Sequence, residues 1–128
     1  MLEAGELDLL AANEGAVAFC DGFPLNPGHA LIIPRRHEGD LFALTAAERD
    51  AVFALLPAVR GAVQDRFGSP DGFNVGVNVG LAAGQTIGHV HVHLIPRHDG
   101  DVDYTGDGSR DPRGGVRWVV PQRADYWS

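Results

Sequence analysis

Three of the six histidines fall within five residues, as His89, His91 and His93. Imidazole has its ordinary pKa near neutrality, so a neutral ring nitrogen with a free lone pair is available at pH 7. Three such groups together can bind a metal. They can also act as nucleophile, acid and orienting partner on a phosphate, or form a solvated strand face without chemistry. Imidazoles seldom cluster without a role, which disfavours the last. On a β-strand, alternate side chains share a face at intervals of about 6.5–7 Å. That spacing is wide for one tetrahedral ion, and no acidic residue stands beside the run: residues 94–98 are Leu, Ile, Pro, Arg and His.

Positioning these rings requires strands. Residues 89–95 alternate, with His89, His91 and His93 on one face and Val90, Val92 and Leu94 on the other. Residues 73–79 alternate too: Phe73, Val75, Val77 and Val79 face one way, Asn74, Gly76 and Asn78 the other. The apolar faces of both strands are expected to rest on a helix, leaving the polar faces to form one side of an open site. Gly76 would leave room there for a ligand. Residues 16–20 and 29–33 are short apolar runs of strand type, and the prolines and glycines between them read as a loop.

Thr45 with Glu48 is a capping-box signal. After it, Val52, Leu56, Val59, Val63 and Phe67 recur on one helical face, with Gly68 and Pro70 as the stop. Pro57 predicts a kink or break just before it. The tail from Asp99 reads as polar loop, and residues 115–120 look like a further edge strand before Pro121. Five strands and one main helix predict an α+β fold with an antiparallel sheet.

The 128 residues fit one domain spanning the chain. Net charge is −7, from 10 basic and 17 acidic residues, which argues against binding long nucleic acid. A small phosphate would need local donors such as backbone N–H groups, histidines or a few arginines. Cys20 is the only cysteine, and a lone thiol fits a reducing compartment. No apolar stretch reaches the roughly 20 residues of a membrane helix, and the acidic N-terminal segment does not read as a secretory signal. A cytoplasmic protein that does not associate with membranes is expected.

The run Gly84-Gln85-Thr86-Ile87-Gly88-His89-Val90-His91-Val92-His93-Leu94-Ile95 resembles the signature of the histidine triad superfamily. Upstream, Phe19-Cys20-Asp21-Gly22-Phe23-Pro24 through Pro27-Gly28-His29-Ala30-Leu31-Ile32-Ile33-Pro34-Arg35-Arg36-His37 looks like that family's nucleoside-binding strand pair. The resemblance covers about residues 15–98. It implies that His91 is the nucleophile on the α-phosphorus of a nucleotide, with its other ring nitrogen held by a backbone carbonyl near His89. His89 and His93 would contact phosphate or fix the geometry, and His29 would orient the triad. Asp21 would hold the ribose hydroxyls, Phe19 and Gly22 would border the base, and Asn78 would touch phosphate. Thr86 would reach the leaving-group side, with Gln85 beside it. Several of these have plainer readings: Phe19 as core, Asp21 and Gly22 as turn formers, and Asn78, Gln85 and Thr86 as solvated positions.

The family's transferase branch typically carries glutamine where this chain has His93, so the resemblance implies a hydrolase. Two types fit: a dinucleoside polyphosphate hydrolase, toward which Gly-Gln-Thr and Ile95-Pro96-Arg97 lean, and a nucleoside phosphoramidase. A nucleotide sensor with little turnover is the competing class. The resemblance also implies an adenine nucleotide as ligand and a homodimer; given the histidine spacing, no metal bound by protein ligands is expected. A divalent cation such as Mg2+ could arrive with a polyphosphate. Arg113-Gly114-Gly115 could approach a polyphosphate, and Trp118, Tyr126 and Trp127 could cover a dimer interface.

Overall fold

The computed structural model describes residues 8–102 and 114–124. Five strands form one antiparallel sheet: β1 (Leu9–Ala12), β2 (Ala16–Cys20), β3 (Ala30–Pro34), β4 (Gly72–Val77) and β5 (Val92–Arg97), in the order β1-β2-β3-β5-β4. Register follows the alternation. Ala18 pairs with Ile32, Ile32 with Val92, and Val92 with Val77, so one row of small and branched side chains crosses four strands. That face packs on the helices, in a core that holds Ile32, Val52, Leu55, Val59, Val63, Val92 and Leu94.

The helix layer is one helical stretch broken in two, α1 (Ala46–Ala54) and α2 (Leu56–Phe67). The capping box forms as expected: Glu48 N donates to Thr45 Oγ1 at 3.1 Å, and Thr45 N donates to Glu48 Oε1 at 2.8 Å. The break falls at Leu55, which puts Pro57 in the first turn of α2, where its missing N–H leaves no unpaired acceptor. Val52, Val59 and Val63 are buried as the periodicity requires, while Phe67 at the helix end is 45% exposed.

Three elements depart from the sequence reading. β1 supplies the fifth strand by pairing with β2. Residues 115–120 are not a strand: Val116–Val119 make a 3₁₀ turn, followed by the short α3 (Pro121–Ala124). Here the chain folds back on itself, Arg117 donating to the carbonyls of Ala124 and Arg123 at 2.6 and 3.3 Å. Finally, β5 starts at Val92, so His89 and His91 lie ahead of the strand. Val90 N donates to Glu38 O at 2.7 Å, outside the ladder, and this pulls residues 89–91 out of strand register. Among the described residues no helix is long and apolar enough to cross a membrane.

Candidate active site

The sheet face turned away from the helices carries the histidines. Phe19 pairs with Leu31, Leu31 with His93, and His93 with Gly76, making a second row on this opposite face. A Cβ on Gly76 would meet nothing within 4 Å, so the space beside His93 is open, as the alternation predicts. Phe19 is 4% exposed and packs with Leu31 and Ile33 into a small second core under the site. Its plain core reading therefore describes its packing.

The loop between β2 and β3 brings Asp21 and His29 to this face. Asp21 N donates to His29 O at 2.9 Å, extending the pairing of the two strands by one step. Asp21 Oδ1 accepts from Phe23 N at 2.9 Å, and its Oδ2 lies 3.5 Å from His29 Nε2. Asp21 thus serves the turn and faces the histidines at once. Gly28 holds the loop against α2 with φ +94°; a Cβ there would lie 2.8 Å from Val63 Cγ1. Gly22 is exposed and has open space where a side chain would stand.

The partners of each ring fix its tautomer. Leu25 N donates to His29 Nδ1 at 3.0 Å, so a neutral His29 carries its hydrogen on Nε2. That Nε2 lies 2.9 Å from His93 Nδ1, which must accept, leaving His93 with its hydrogen on Nε2. His91 Nδ1 donates to the carbonyl of His89 at 2.9 Å, which leaves its Nε2 as a bare lone pair. His89 Nε2 donates to Pro34 O at 2.8 Å. The rings of His91 and His93 are 5.0 Å apart between centroids, whereas His89 turns aside to meet His37 at 4.9 Å.

Burial lowers the pKa of His29, an effect that the Asp21 carboxylate partly opposes. Burial also lowers that of His93, helped by its neighbours His91 and His29. The hydrogen bonds act in the same direction, because a proton on His29 Nδ1 would face the Leu25 N–H.

The remaining predicted residues stand around this centre. Thr86 is exposed on the loop between β4 and β5, and Asn78 is exposed just past β4. Gln85 is turned into its own loop, its side-chain amide bonded to the backbone of Gly80, Gly39 and Ile87. Gly114 and Gly115 lie near the Arg97 end of β5, and Trp118 is half-buried in the 3₁₀ turn; Arg113, Tyr126 and Trp127 lie outside the described residues. Sequence reasoning missed the Leu25 amide, the Glu38 carbonyl and the His37 ring. The first two are backbone groups, which leave no residue-type signal. His37 stands just past β3, and its residue type alone does not reveal its contact with the His89 ring.

The expectation that no acid stands beside the triad holds along the chain but not in space. Asp21, His29 and His93 form a group whose donor atoms lie within 4.8 Å of one another. An ion bound through His29 Nε2 would move that ring's hydrogen to Nδ1, against the Leu25 N–H. The cluster suits a hydrogen-bonded chain better than a metal cage.

Fold and site together define an α+β protein of the histidine triad class. The model of the HIT domain matches residues 6–100, and the chain belongs to that family. Among curated relatives it is 40% identical over 86 residues to a bis(5'-nucleosyl)-tetraphosphatase (asymmetrical) of Schizosaccharomyces pombe, covering 67% of this chain and 47% of that one. It is 37% identical over 108 residues to an adenylylsulfatase of Arabidopsis thaliana, covering 83% and 54%. The chain thus spans about half the length of these relatives. A crystal structure of a HIT family protein from Bacillus anthracis superimposes with a TM-score of 0.69 at 34% identity, covering 82% of this chain and 77% of that one.

Proposed function

We propose that this protein cleaves nucleotides at the α-phosphorus through a covalent intermediate on His91. The bare Nε2 of His91, fixed by the bond from Nδ1 to the His89 carbonyl, carries this reading. Nε2 attacks phosphorus, a P–N bond forms, and the bond to the leaving group breaks with its electron pair. The ring becomes cationic, and the His89 carbonyl accepts the resulting charge-assisted hydrogen bond. The Nε2–H of His93 donates to a phosphate oxygen. Water then attacks phosphorus, the P–N bond breaks, and the nucleoside monophosphate leaves as a proton is lost to solvent.

His93 acts as a donor in this scheme rather than as the leaving group's acid. Losing its Nε2 proton while Nδ1 accepts from His29 would leave an imidazolate. The leaving group therefore takes its proton from solvent or along the exposed Thr86 side. Asp21 accepts from the ribose hydroxyls in this reading, which the lone pairs left by the Phe23 amide support.

The substrate we favour is a dinucleoside polyphosphate, with an adenosine phosphoramidate as the alternative. The relative named as a tetraphosphatase supports the first. The relative named as an adenylylsulfatase supports a wider range of leaving groups on a shared adenylyl half. A divalent cation such as Mg2+ would enter with the polyphosphate and neutralise its charge.

The test is AMP release by wild type and by His91→Ala from diadenosine polyphosphate and from adenosine phosphoramidate. Wild type should turn over at least one of them, and His91→Ala should lose about 10³-fold or more in kcat. A His91→Ala protein with undiminished turnover would remove the mechanism. A wild type that binds AMP but turns over neither substrate would favour the sensor reading.

A further inference from the structure

The nucleophile sits on backbone that the sheet does not hold. β3 ends at Pro34 and β5 begins at Val92, so residues 89–91 depend on bonds from outside the ladder. The segment that follows β3 supplies one of these and holds the preceding loop by another. Val90 N donates to Glu38 O at 2.7 Å, and Gln85 Nε2 donates to Gly39 O at 2.7 Å.

Gln85 has no amide hydrogen left over for a ligand. Its second Nε2 hydrogen goes to Ile87 O at 3.1 Å, and its Oε1 accepts from Gly80 N at 2.8 Å. Its backbone N–H returns to Gly80 O at 3.1 Å. One residue thereby closes the loop between β4 and β5 at its base and ties it to Gly39. Thr86 lies between the two anchored positions, Gln85 and Ile87.

The far side of this tie is itself braced. The Glu38 carboxylate accepts from Gly39 N and Asp40 N at 3.0 and 3.1 Å. Arg36 donates to Glu38, and through two bonds of 2.7 and 3.0 Å to Glu48 at the start of α1. Gly39 also packs closely on the loop, since a Cβ there would lie 3.2 Å from Gly88 O. The loop and the nucleophile's backbone are thus referenced to the helix layer.

We propose that Gln85 is a positioning residue that touches no substrate and locks the 80–88 loop to the 38–40 segment, setting the approach of His91 to the phosphorus. The proposal rests on His91 being the nucleophile. A misplacement of about 1 Å can cost about 10²-fold in rate, which sets the scale of the expected effect. Because the fault would lie with the nucleophile, it would be shared by all leaving groups.

The test compares Gln85→Ala, Gln85→Met and Gly39→Ala with wild type on diadenosine polyphosphate and adenosine phosphoramidate, alongside AMP binding by calorimetry. Gln85→Ala and Gln85→Met should lower kcat by roughly 10- to 100-fold, in the same proportion on both substrates, with the AMP Kd unchanged. Gly39→Ala disturbs the tie from the other side and should reproduce the pattern. Combined with Gln85→Ala it should lose less than the product of the single effects. If the Gln85 variants fail to fold, Gly39→Ala alone carries the test. A rise in KM confined to the polyphosphate would mean that Gln85 contacts the leaving group, and the proposal would fall. Unchanged kcat in every variant would also overturn it. A wild type that releases AMP from neither substrate would instead remove the His91 reading, and this proposal with it.

Discussion

At the scale of single residues, the site is a set of imidazoles whose roles are assigned by their partners. His91 and His93 are the same residue type with rings 5.0 Å apart, yet the first presents a lone pair and the second an N–H. The difference comes from a carbonyl at His89 and, through His29, from the amide of Leu25. His29 and His93 are both held below the ordinary histidine pKa by burial, His93 also by its histidine neighbours. His29 Nε2 holds His93 Nδ1 as an acceptor, so His29→Ala should lower kcat by freeing His93 to take the other tautomer. An undiminished kcat in that variant would contradict the hydrogen-bonded chain. The same shifts act on stability. Between the depressed folded values and about 6.5, the unfolded chain binds more protons than the folded one. Stability should therefore rise with pH through that window and be complete above it, as urea unfolding at stepped pH would show. Reading the sequence could find the three histidines and His29, because residue types carry them. It could not find the backbone groups that choose the tautomers.

At the scale of elements, alternation was the most informative signal. It placed Val77 and Val92 on the helix side and Gly76 and His93 on the open side, and the register agrees. It also overran: alternation carried the strand back to His89, where the Glu38 carbonyl takes the chain away. Residues 115–120 include three valines, as a strand would, but β-propensity needs a neighbouring strand to act on, and the segment folds on itself instead. β1 was missed because it is four residues long, half of them alanine, with its ends exposed. The turn before His29 offers a direct check on packing. Gly28→Ala puts a Cβ 2.8 Å from Val63 Cγ1 at a φ of +94°, and should destabilise the fold by roughly 1–3 kcal/mol. Denaturant midpoints would measure it; an unchanged midpoint would show that the loop is not fixed to α2. In the core, Ile32→Ala removes a fully buried side chain and should cost roughly 2–5 kcal/mol.

At the scale of the whole molecule, a histidine-bearing sheet face is backed by a helix layer. Helices cover one face and leave the other open beside His93, and the 36–40 segment links the two layers. A homodimer is our expectation from the family resemblance; light scattering should return twice the chain mass. Zinc offers a further check, since the Leu25 amide disfavours an ion on His29. Metal analysis of the purified protein should find no stoichiometric zinc, and a full equivalent that depends on His29 would contradict the hydrogen-bonded chain. The central claim remains the covalent step. Wild-type protein would be mixed with diadenosine polyphosphate labelled at the α-phosphorus, quenched in alkali within one turnover, digested, and its peptides sequenced for label. The account predicts label on His91, and none in His91→Ala. Label on another residue, or AMP release with no labelled protein at any time, would contradict it.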